Sequence, residues 1–199
     1  MPDCGAILLA AGIGRRFGAD KRLQEINGRK IAQITTATYL AAFAHVRVVV
    51  RHASDPLHDL LTNVEIVVAP DAEQGMGHSL RRGIQDVPWR YAFVGLMDMP
   101  WLQAGTLQTL IARARSEHWS RIIRPRLQTT ESTSAANPPW GHPIGFPQEL
   151  FAAMQLLQGD AGARQLLRSH QHLVTEVTTD DSGVIKDIDT PADLHEQPT

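Results

Sequence analysis

The segment Leu9-Ala10-Ala11-Gly12-Ile13-Gly14-Arg15-Arg16-Phe17-Gly18-Ala19-Asp20-Lys21 combines three glycines with positive charge directly after an apolar run. Small residues let backbone N–H groups approach a polyanion closely. Successive amides of a glycine-rich turn form an anion-binding concavity, and Arg16 and Lys21 supply the charge that triphosphate oxygens require. Neither familiar phosphate loop fits. A dinucleotide fingerprint needs a third glycine where Phe17 stands and an acidic residue closing the second strand, where Arg51 and His52 stand. A Walker loop needs Lys-Ser/Thr after the last glycine, but Ala19-Asp20 follows Gly18. For Gly12 and Gly14 alone an ordinary tight turn is the better reading; the cations shift the balance to phosphate.

A carboxylate stands at a second strand exit, in Leu96-Met97-Asp98-Met99-Pro100. Pro100 ends the strand, and Asp98 there suits Mg²⁺, which takes one or two carboxylates plus substrate phosphates. A turn or helix-capping aspartate is an equally ordinary occupant. Near the C-terminus, Asp187 and Asp189 share one face of a strand by the period of two, and either can join Asp98 around a metal. Asp193, two residues after Pro191, reads as an acidic group at a helix start. In Gly75-Met76-Gly77-His78-Ser79-Leu80 the glycines permit backbone contact with a flat ligand and Ser79 offers a hydroxyl in a first helical turn; a capped flexible loop is the plainer alternative. Of nine histidines only His142, pinned between Gly141 and Pro143, stands out, because none has a paired Cys/His framework. Cys4 has no base nearby in sequence and receives no role.

These residues must be positioned by elements that alternate. Gly5–Leu9, Val46–Val50, Glu65–Val68, Tyr91–Leu96 and Arg121–Ile123 read as strands. Residues 31–43, 57–64, 78–84 and 105–118 have helical character; Leu107, Leu110, Ile111 and Ala114 share one face of the last. The pattern predicts a single α/β domain over residues 1–199, with a mostly parallel sheet covered by helices on both faces. Ligands in such sheets bind beyond the carboxyl ends of the strands, so the loops after Leu9, Val68 and Leu96 are expected to meet in one crevice. Leu127–Pro139 is polar and rich in small residues and reads as a mobile loop. Gln148–Leu157 and Ala161–His170 read as helical, Leu173–Val177 as extended, Gly183–Asp189 as a turn entering a strand, and Pro191–Leu194 as the start of a helix.

Composition narrows the class. The chain has 199 residues, 43% of them hydrophobic, and a net charge of −2. That length suits one well-buried domain, and the charge excludes the basic footprint of a nucleic-acid binder. A single cysteine rules out an internal disulfide framework, and no apolar run reaches membrane-spanning length. A cytoplasmic enzyme with no nucleic-acid or membrane partner is the expectation. Only Lys21, Lys30 and Lys186 are lysines among nineteen basic residues, so an ammonium at position 21 invites explanation.

Taken together, the motifs resemble the nucleotidyltransferases that finish molybdenum cofactor, and most of all their cytidylyltransferase branch. The pattern L-A-A-G-x-G-x-R-x-G-x-x-K is met by Leu9 through Lys21. The family's G-M-x-x-S-L, D-M-P, G-H-P, G-D-x-G-A-R and D-I-D-T-P-x-D-L follow in order at Gly75–Leu80, Asp98–Pro100, Gly141–Pro143, Gly159–Arg164 and Asp187–Leu194. The resemblance implies a Rossmann-like three-layer fold of the nucleotide-diphospho-sugar transferase type. It implies that Leu9, Ala10, Ala11, Gly12, Gly14, Gly75 and Ser79 line the nucleotide, with Arg16 and Lys21 on its phosphates. Asp98 and Asp189 would hold Mg²⁺; Arg16, Lys21 and Asp98 form the catalytic set. His142, Asp160 and Arg164 would face the acceptor. Phe17 stands where the family usually has Met, and Met97 where a small or acidic residue is common.

The implied reaction is in-line attack of an acceptor phosphate oxygen on the α-phosphorus of CTP, releasing pyrophosphate. Positioning and charge neutralisation carry such transfers without a protein nucleophile. Ala11, where guanylyl enzymes tend to have a second glycine, points to CTP over GTP, since its methyl narrows the space beside the loop. Further expected partners are a molybdopterin-type acceptor and a recipient molybdoenzyme or its chaperone. The alternatives are a transferase using GTP, one acting on sugar phosphates or isoprenoid precursors, and a non-catalytic nucleotide-binding chaperone.

Overall fold

The apolar alternation of the chain resolves into a seven-stranded sheet with a core on each face. The computed structural model describes residues 2–12, 17–128, 140–160 and 162–195. The strands are β1 (Cys4–Leu9), β2 (Glu25–Ile26), β3 (Arg29–Lys30), β4 (Val46–Val50), β5 (Glu65–Val68), β6 (Tyr91–Leu96), β7 (Ile122–Leu127), β8 (Ile144–Pro147) and β9 (Val174–Thr179). The helices are α1 (Ile31–Leu40), α2 (Leu57–Leu60), α3 (Met76–Ile84), α4 (Ala104–Ser116), α5 (Phe151–Met154) and α6 (Arg164–Ser169). Sheet order is β5-β4-β1-β6-β8-β7-β9, and only β8 runs against the others. The strand order reverses at β1, between β4 and β6, the kind of switch point where open α/β sheets bind ligands.

Strand periodicity divides the core. Ala6, Leu8, Val48, Val50, Tyr91 and Phe93 pack on one face, and Ile7, Val49, Ala92 and Val94 on the other. The helical face read for residues 105–118 is the one that is buried: Leu107, Leu110 and Ala114 are inaccessible. Two strands break the apolar rule with a buried arginine, Arg47 in β4 and Arg124 in β7. Arg47, in the middle of β4, is 5% exposed; it donates to the carbonyls of Gly83 at 2.9 Å and Gln85 at 2.6 Å, capping the end of α3, and pairs with Glu65 at 2.9 Å.

Several elements differ from the sequence reading. Asn27 and Gly28, both at positive φ, close a β2–β3 hairpin that was not anticipated, although an Asn-Gly pair is the standard signal for such a turn. β7 extends to Leu127, which therefore belongs to the sheet and not to a loop; residues 129–139 of the expected loop lie outside the described residues. The helices expected after Gln148 and Ala161 contract to α5, behind a short 3-10 turn, and α6. No strand forms at 183–189: a 3-10 turn at Ser182–Val184 leads into irregular chain, and a second at Pro191–His195 takes the place of the terminal helix. Its docking comes from a third small cluster, where Ile188 packs with Phe17, Ile26 and Ile31. No helix among the described residues is long and apolar enough to cross a membrane.

Candidate active site

A cavity of about 240 Å³ opens at the carboxyl ends of β1, β4 and β6. Leu9, Ala10, Ala11 and Gly12 form one wall, Asp20, Lys21 and Arg22 another; Arg51, His52, Asp55, Met97 and Asp98 complete it. The loops that meet are thus those after Leu9, Val50 and Leu96. No residue of the loop after Val68 lines this cavity.

Asp98 is held from two sides. Thr35 Oγ1, on α1, donates to the Met97 carbonyl at 2.9 Å, and the Asp98 carbonyl accepts from Ile188 N at 2.9 Å. Thr35 therefore anchors the loop that carries Asp98. The bond to Ile188 brings Asp187 and Asp189 to Asp98, so that one carboxylate oxygen of each of the three lies within 4.8 Å of the others. The predicted convergence is present, through a backbone hydrogen bond and the Ile188 side chain in place of a strand face. Asp193 accepts from Asp189 N at 2.9 Å and Thr190 N at 2.7 Å, the turn-capping role its position suggested.

Lys21 reaches into this cluster. Its Nζ lies 2.6 Å from Asp98 Oδ2 and 3.3 Å from Asp189 Oδ1, and donates to the Ile188 carbonyl at 2.7 Å. Burial works against its charge, but Asp98 and then Asp189 outweigh it, so its pKa lies above the ordinary lysine value. Burial, helped by Asp98 and Asp189, raises the Asp187 carboxyl above the usual aspartate range. Asp98 Oδ1 is buried and accepts no hydrogen bond from the described residues.

Arg22 ties the floor together. Its Nη1 donates to the Ala10 carbonyl at 2.7 Å and to Asp55 Oδ2 at 2.9 Å, while Nε and Nη2 grip Asp20 at 2.8 and 2.6 Å. Asp55 Oδ1 accepts from Leu57 N at 3.0 Å at the start of α2. Arg51 Nη2 holds the Ala11 carbonyl at 2.9 Å. Arg22, Asp55 and the grip of Arg51 on the Ala11 carbonyl were missed from sequence. Their signal was present but faint: two arginines and an aspartate, one beside the lysine and two just past a strand end.

Residues 6–174 match the MobA-like NTP transferase domain. The chain belongs to the MobA-like NTP transferase family. It is 34% identical to the purine catabolism protein PucB of Bacillus subtilis (strain 168), across 93% of this chain and 91% of that protein. It is 30% identical to the nicotine blue oxidoreductase of Paenarthrobacter nicotinovorans, across 98% and 96%. A shorter match, 26% identical over 61% of this chain and 60% of the relative, is to the "Probable molybdenum cofactor guanylyltransferase" of Natranaerobius thermophilus. Among solved structures, the Rv0371c homologue of Mycobacterium sp. strain JC1 superimposes with a TM-score of 0.79 at 28% identity, covering 96% of this chain and 92% of that one. The family and the mostly parallel seven-stranded sheet support nucleotidyl transfer as the activity class.

Within this NTP transferase the other predicted site residues fall into two groups. Leu9, Ala10, Ala11, Gly12, Lys21 and Asp98 line the cavity, whereas Gly14 and Arg16 lie outside the described residues. Ala11 is only 4% exposed and packs with Ile7, Val49 and Ala72. Its methyl therefore leaves little surface for a base to feel. Gly75 and Ser79 are not among the lining residues. Gly75, at φ 127°, abuts the backbone of Gly159 and Asp160, and Gly77 N donates to the Gly159 carbonyl at 2.9 Å. These glycines permit close packing of two loops, and Ser79 is buried in α3. His142 is anchored by its backbone N–H on the Val184 carbonyl at 2.7 Å, and its Nδ1 is buried without a hydrogen-bond partner among the described residues. Burial lowers its pKa and keeps the imidazole neutral. Asp160 and Arg164 are exposed. Cys4 is half-buried, and burial raises its thiol pKa to about 11, consistent with no catalytic use.

Proposed function

We propose that this chain transfers CMP from CTP to the phosphate of a molybdopterin-type acceptor, with pyrophosphate as the leaving group and Mg²⁺ as cofactor. The observation that carries the reading is the meeting of the Ala10–Gly12 loop, Lys21 and three carboxylates at one mouth of the sheet. Asp98, Asp187 and Asp189 offer hard oxygen donors, and the unpaired, buried Asp98 Oδ1 is one that a cation would satisfy. Asp98 and Asp189 are the assigned ligands, with Asp187 near enough to join them. When bound, the cation neutralises charge on phosphate oxygens.

The residues divide the rest of the work. Backbone amides of Ala11 and Gly12, with Gly14, Arg16 and Lys21, bind and orient the triphosphate, while the Ala10 amide is held by the Val49 carbonyl at 2.9 Å. Gly75 and Ser79 are assigned to the base and ribose, and Arg51, His52 and Asp55, which line the cavity, join them. The preference for cytosine rests on the resemblance at Ala10-Ala11-Gly12. His142, Asp160 and Arg164 are assigned to the acceptor, within one domain over residues 1–199. An acceptor oxygen forms a bond to the α-phosphorus as the bond to the β-phosphate oxygen breaks. An ionised phosphate acceptor needs no general base.

Pyrophosphate release tests the reading. CTP and GTP are compared with molybdopterin-type acceptors, sugar phosphates and isoprenoid precursors. CTP with the pterin acceptor is expected to be fastest. Equal or faster use of GTP removes the cytidylyl assignment, and preference for a sugar phosphate removes the acceptor. Ala11→Gly is expected to change the CTP/GTP ratio by less than about threefold, because a methyl so covered contributes less than the roughly 1–3 kcal/mol of a fully sensed one.

A further inference from the structure

We propose that Lys21 is an internal placeholder for the cation, and that a nucleoside triphosphate frees the carboxylates by drawing the ammonium onto its phosphates. This rests on the cation reading of Asp98, Asp187 and Asp189 given above. Among the described residues the Lys21 ammonium has three acceptors: Asp98 Oδ2 at 2.6 Å, the Ile188 carbonyl at 2.7 Å and Asp189 Oδ1 at 3.3 Å. An ammonium has three donors. In this position Lys21 has none left for a phosphate, so it cannot serve phosphates and carboxylates together.

Ammonium and cation also share ligands, because Asp98 and Asp189 belong to both sets. Two positive charges compete for those oxygens. The backbone of Lys21 is fixed: Asp20 caps its turn, and Arg22, the next residue, is locked to Asp20, Asp55 and Ala10. The exchange is therefore a swing of the side chain alone, which a flexible four-carbon stem with a rotatable point charge allows. Triphosphate binding at the Ala10–Gly12 loop then tightens the cation, and the cation tightens the triphosphate by the same factor. Without nucleotide the Lys21 ammonium stays on the Asp98 and Asp189 oxygens.

The test titrates Mn²⁺ into the nucleotide-free full chain, reading free Mn²⁺ by electron paramagnetic resonance. Lys21→Gln is expected to bind Mn²⁺ about tenfold or more tightly than wild type, within the range typical of coupled sites. Arg51→Gln removes a charge from the same cavity whose guanidinium donates to the Ala11 carbonyl. It is expected to change Mn²⁺ affinity by less than about threefold, below that coupled range. Equal tightening by both variants shows general electrostatics and overturns the placeholder, as does no tightening by Lys21→Gln. A second measurement uses wild type alone. The chain has only Lys21, Lys30 and Lys186, so ¹⁵N-labelled lysine ammonium signals are few enough to follow by NMR. Metal-free α,β-methylene CTP is expected to shift the Lys21 signal and leave Lys30 and Lys186 in place. A bound analogue with an unmoved Lys21 signal overturns the proposal. If wild type and Lys21→Gln bind no Mn²⁺ even with the analogue, the cation reading falls too; if they bind it equally without nucleotide, only the placeholder falls.

Discussion

The two sides of the sheet's carboxyl edge are built differently. On the β4–β1–β6 side the charged residues hold one another: Arg22 grips Asp20 and Asp55, and Lys21 bridges Asp98 and Asp189. On the β8–β7–β9 side the residues assigned to the acceptor have no such frame, with Asp160 and Arg164 exposed and His142 Nδ1 unpaired. A triphosphate needs a rigid, pre-charged floor, because catalysis in such transfers is mostly positioning. The strongest internal tie of the second side lies away from its assigned residues, where Glu176 on β9 bridges Arg124 and Arg126 of β7 at 2.5 and 2.8 Å.

The sharpest way to break this contrast is at Asp98. Asp98→Asn is expected to cut nucleotidyl transfer roughly 10²–10³-fold, the scale of losing one preorganised charge contact at a reacting phosphate. Its unfolding transition should stay close to that of wild type; calorimetry alongside turnover separates the two. Arg22→Ala comes next and acts through stability. It leaves Asp55, whose side chain is 6% exposed, without its partner. Breaking such a buried pair costs about 3 kcal/mol, read as a fall in the urea midpoint. Release of the Ala10 carbonyl should also raise the KM for CTP.

Why one side was readable and the other was not follows from these contacts. The phosphate loop is contiguous, so Gly12, Lys21 and the strand before them could be read together, and Asp98 stood at an obvious strand exit. The helix positions Leu107, Leu110 and Ala114 were equally plain, because burial of one helical face imposes a period. Arg22 and Arg51 were invisible as a unit, since their partners Asp55 and Ala11 are 33 and 40 residues distant in the chain. Gly75 and Gly77 were read as ligand contacts because glycine marks any close approach; the group that approaches them in the structure is the protein's own 158–160 backbone. The 187–189 segment lacks the strand its spacing suggested; a single bond from Ile188 N to Asp98 O does what a ladder would have done.

Two smaller effects sharpen the comparison. In Gly75→Ala the new methyl meets the backbone of Gly159 and Asp160 at a φ that favours glycine. Forced overpacking of this kind costs about 1–3 kcal/mol, and the KM for CTP should rise because the residue is assigned to the base and ribose. Lost stability with an unchanged KM would take Gly75 out of the nucleotide site. The smallest effect belongs to Glu176. Burial raises its pKa, but Arg124 and Arg126 outweigh that and hold it below the ordinary glutamate value. A lowered folded pKa gives stability that is present above the unfolded value, near 4.3, and is lost as pH falls through the folded one. The difference in urea midpoint between wild type and Glu176→Gln should correspond to about 0.5 kcal/mol at pH 7 and shrink once the pH drops below that range. A difference that grows on acidification would contradict the assignment.

The most direct measurement follows the α-phosphorus itself. Wild type and Asp98→Asn are incubated with [α-³²P]CTP, Mg²⁺ and a molybdopterin-type acceptor, and label on the acceptor is counted against pyrophosphate released. The predicted result is one pyrophosphate for each label transferred by wild type, and loss of both in a folded Asp98→Asn protein. Label left in free CMP, or transfer that persists in Asp98→Asn, would contradict nucleotidyl transfer at this cluster.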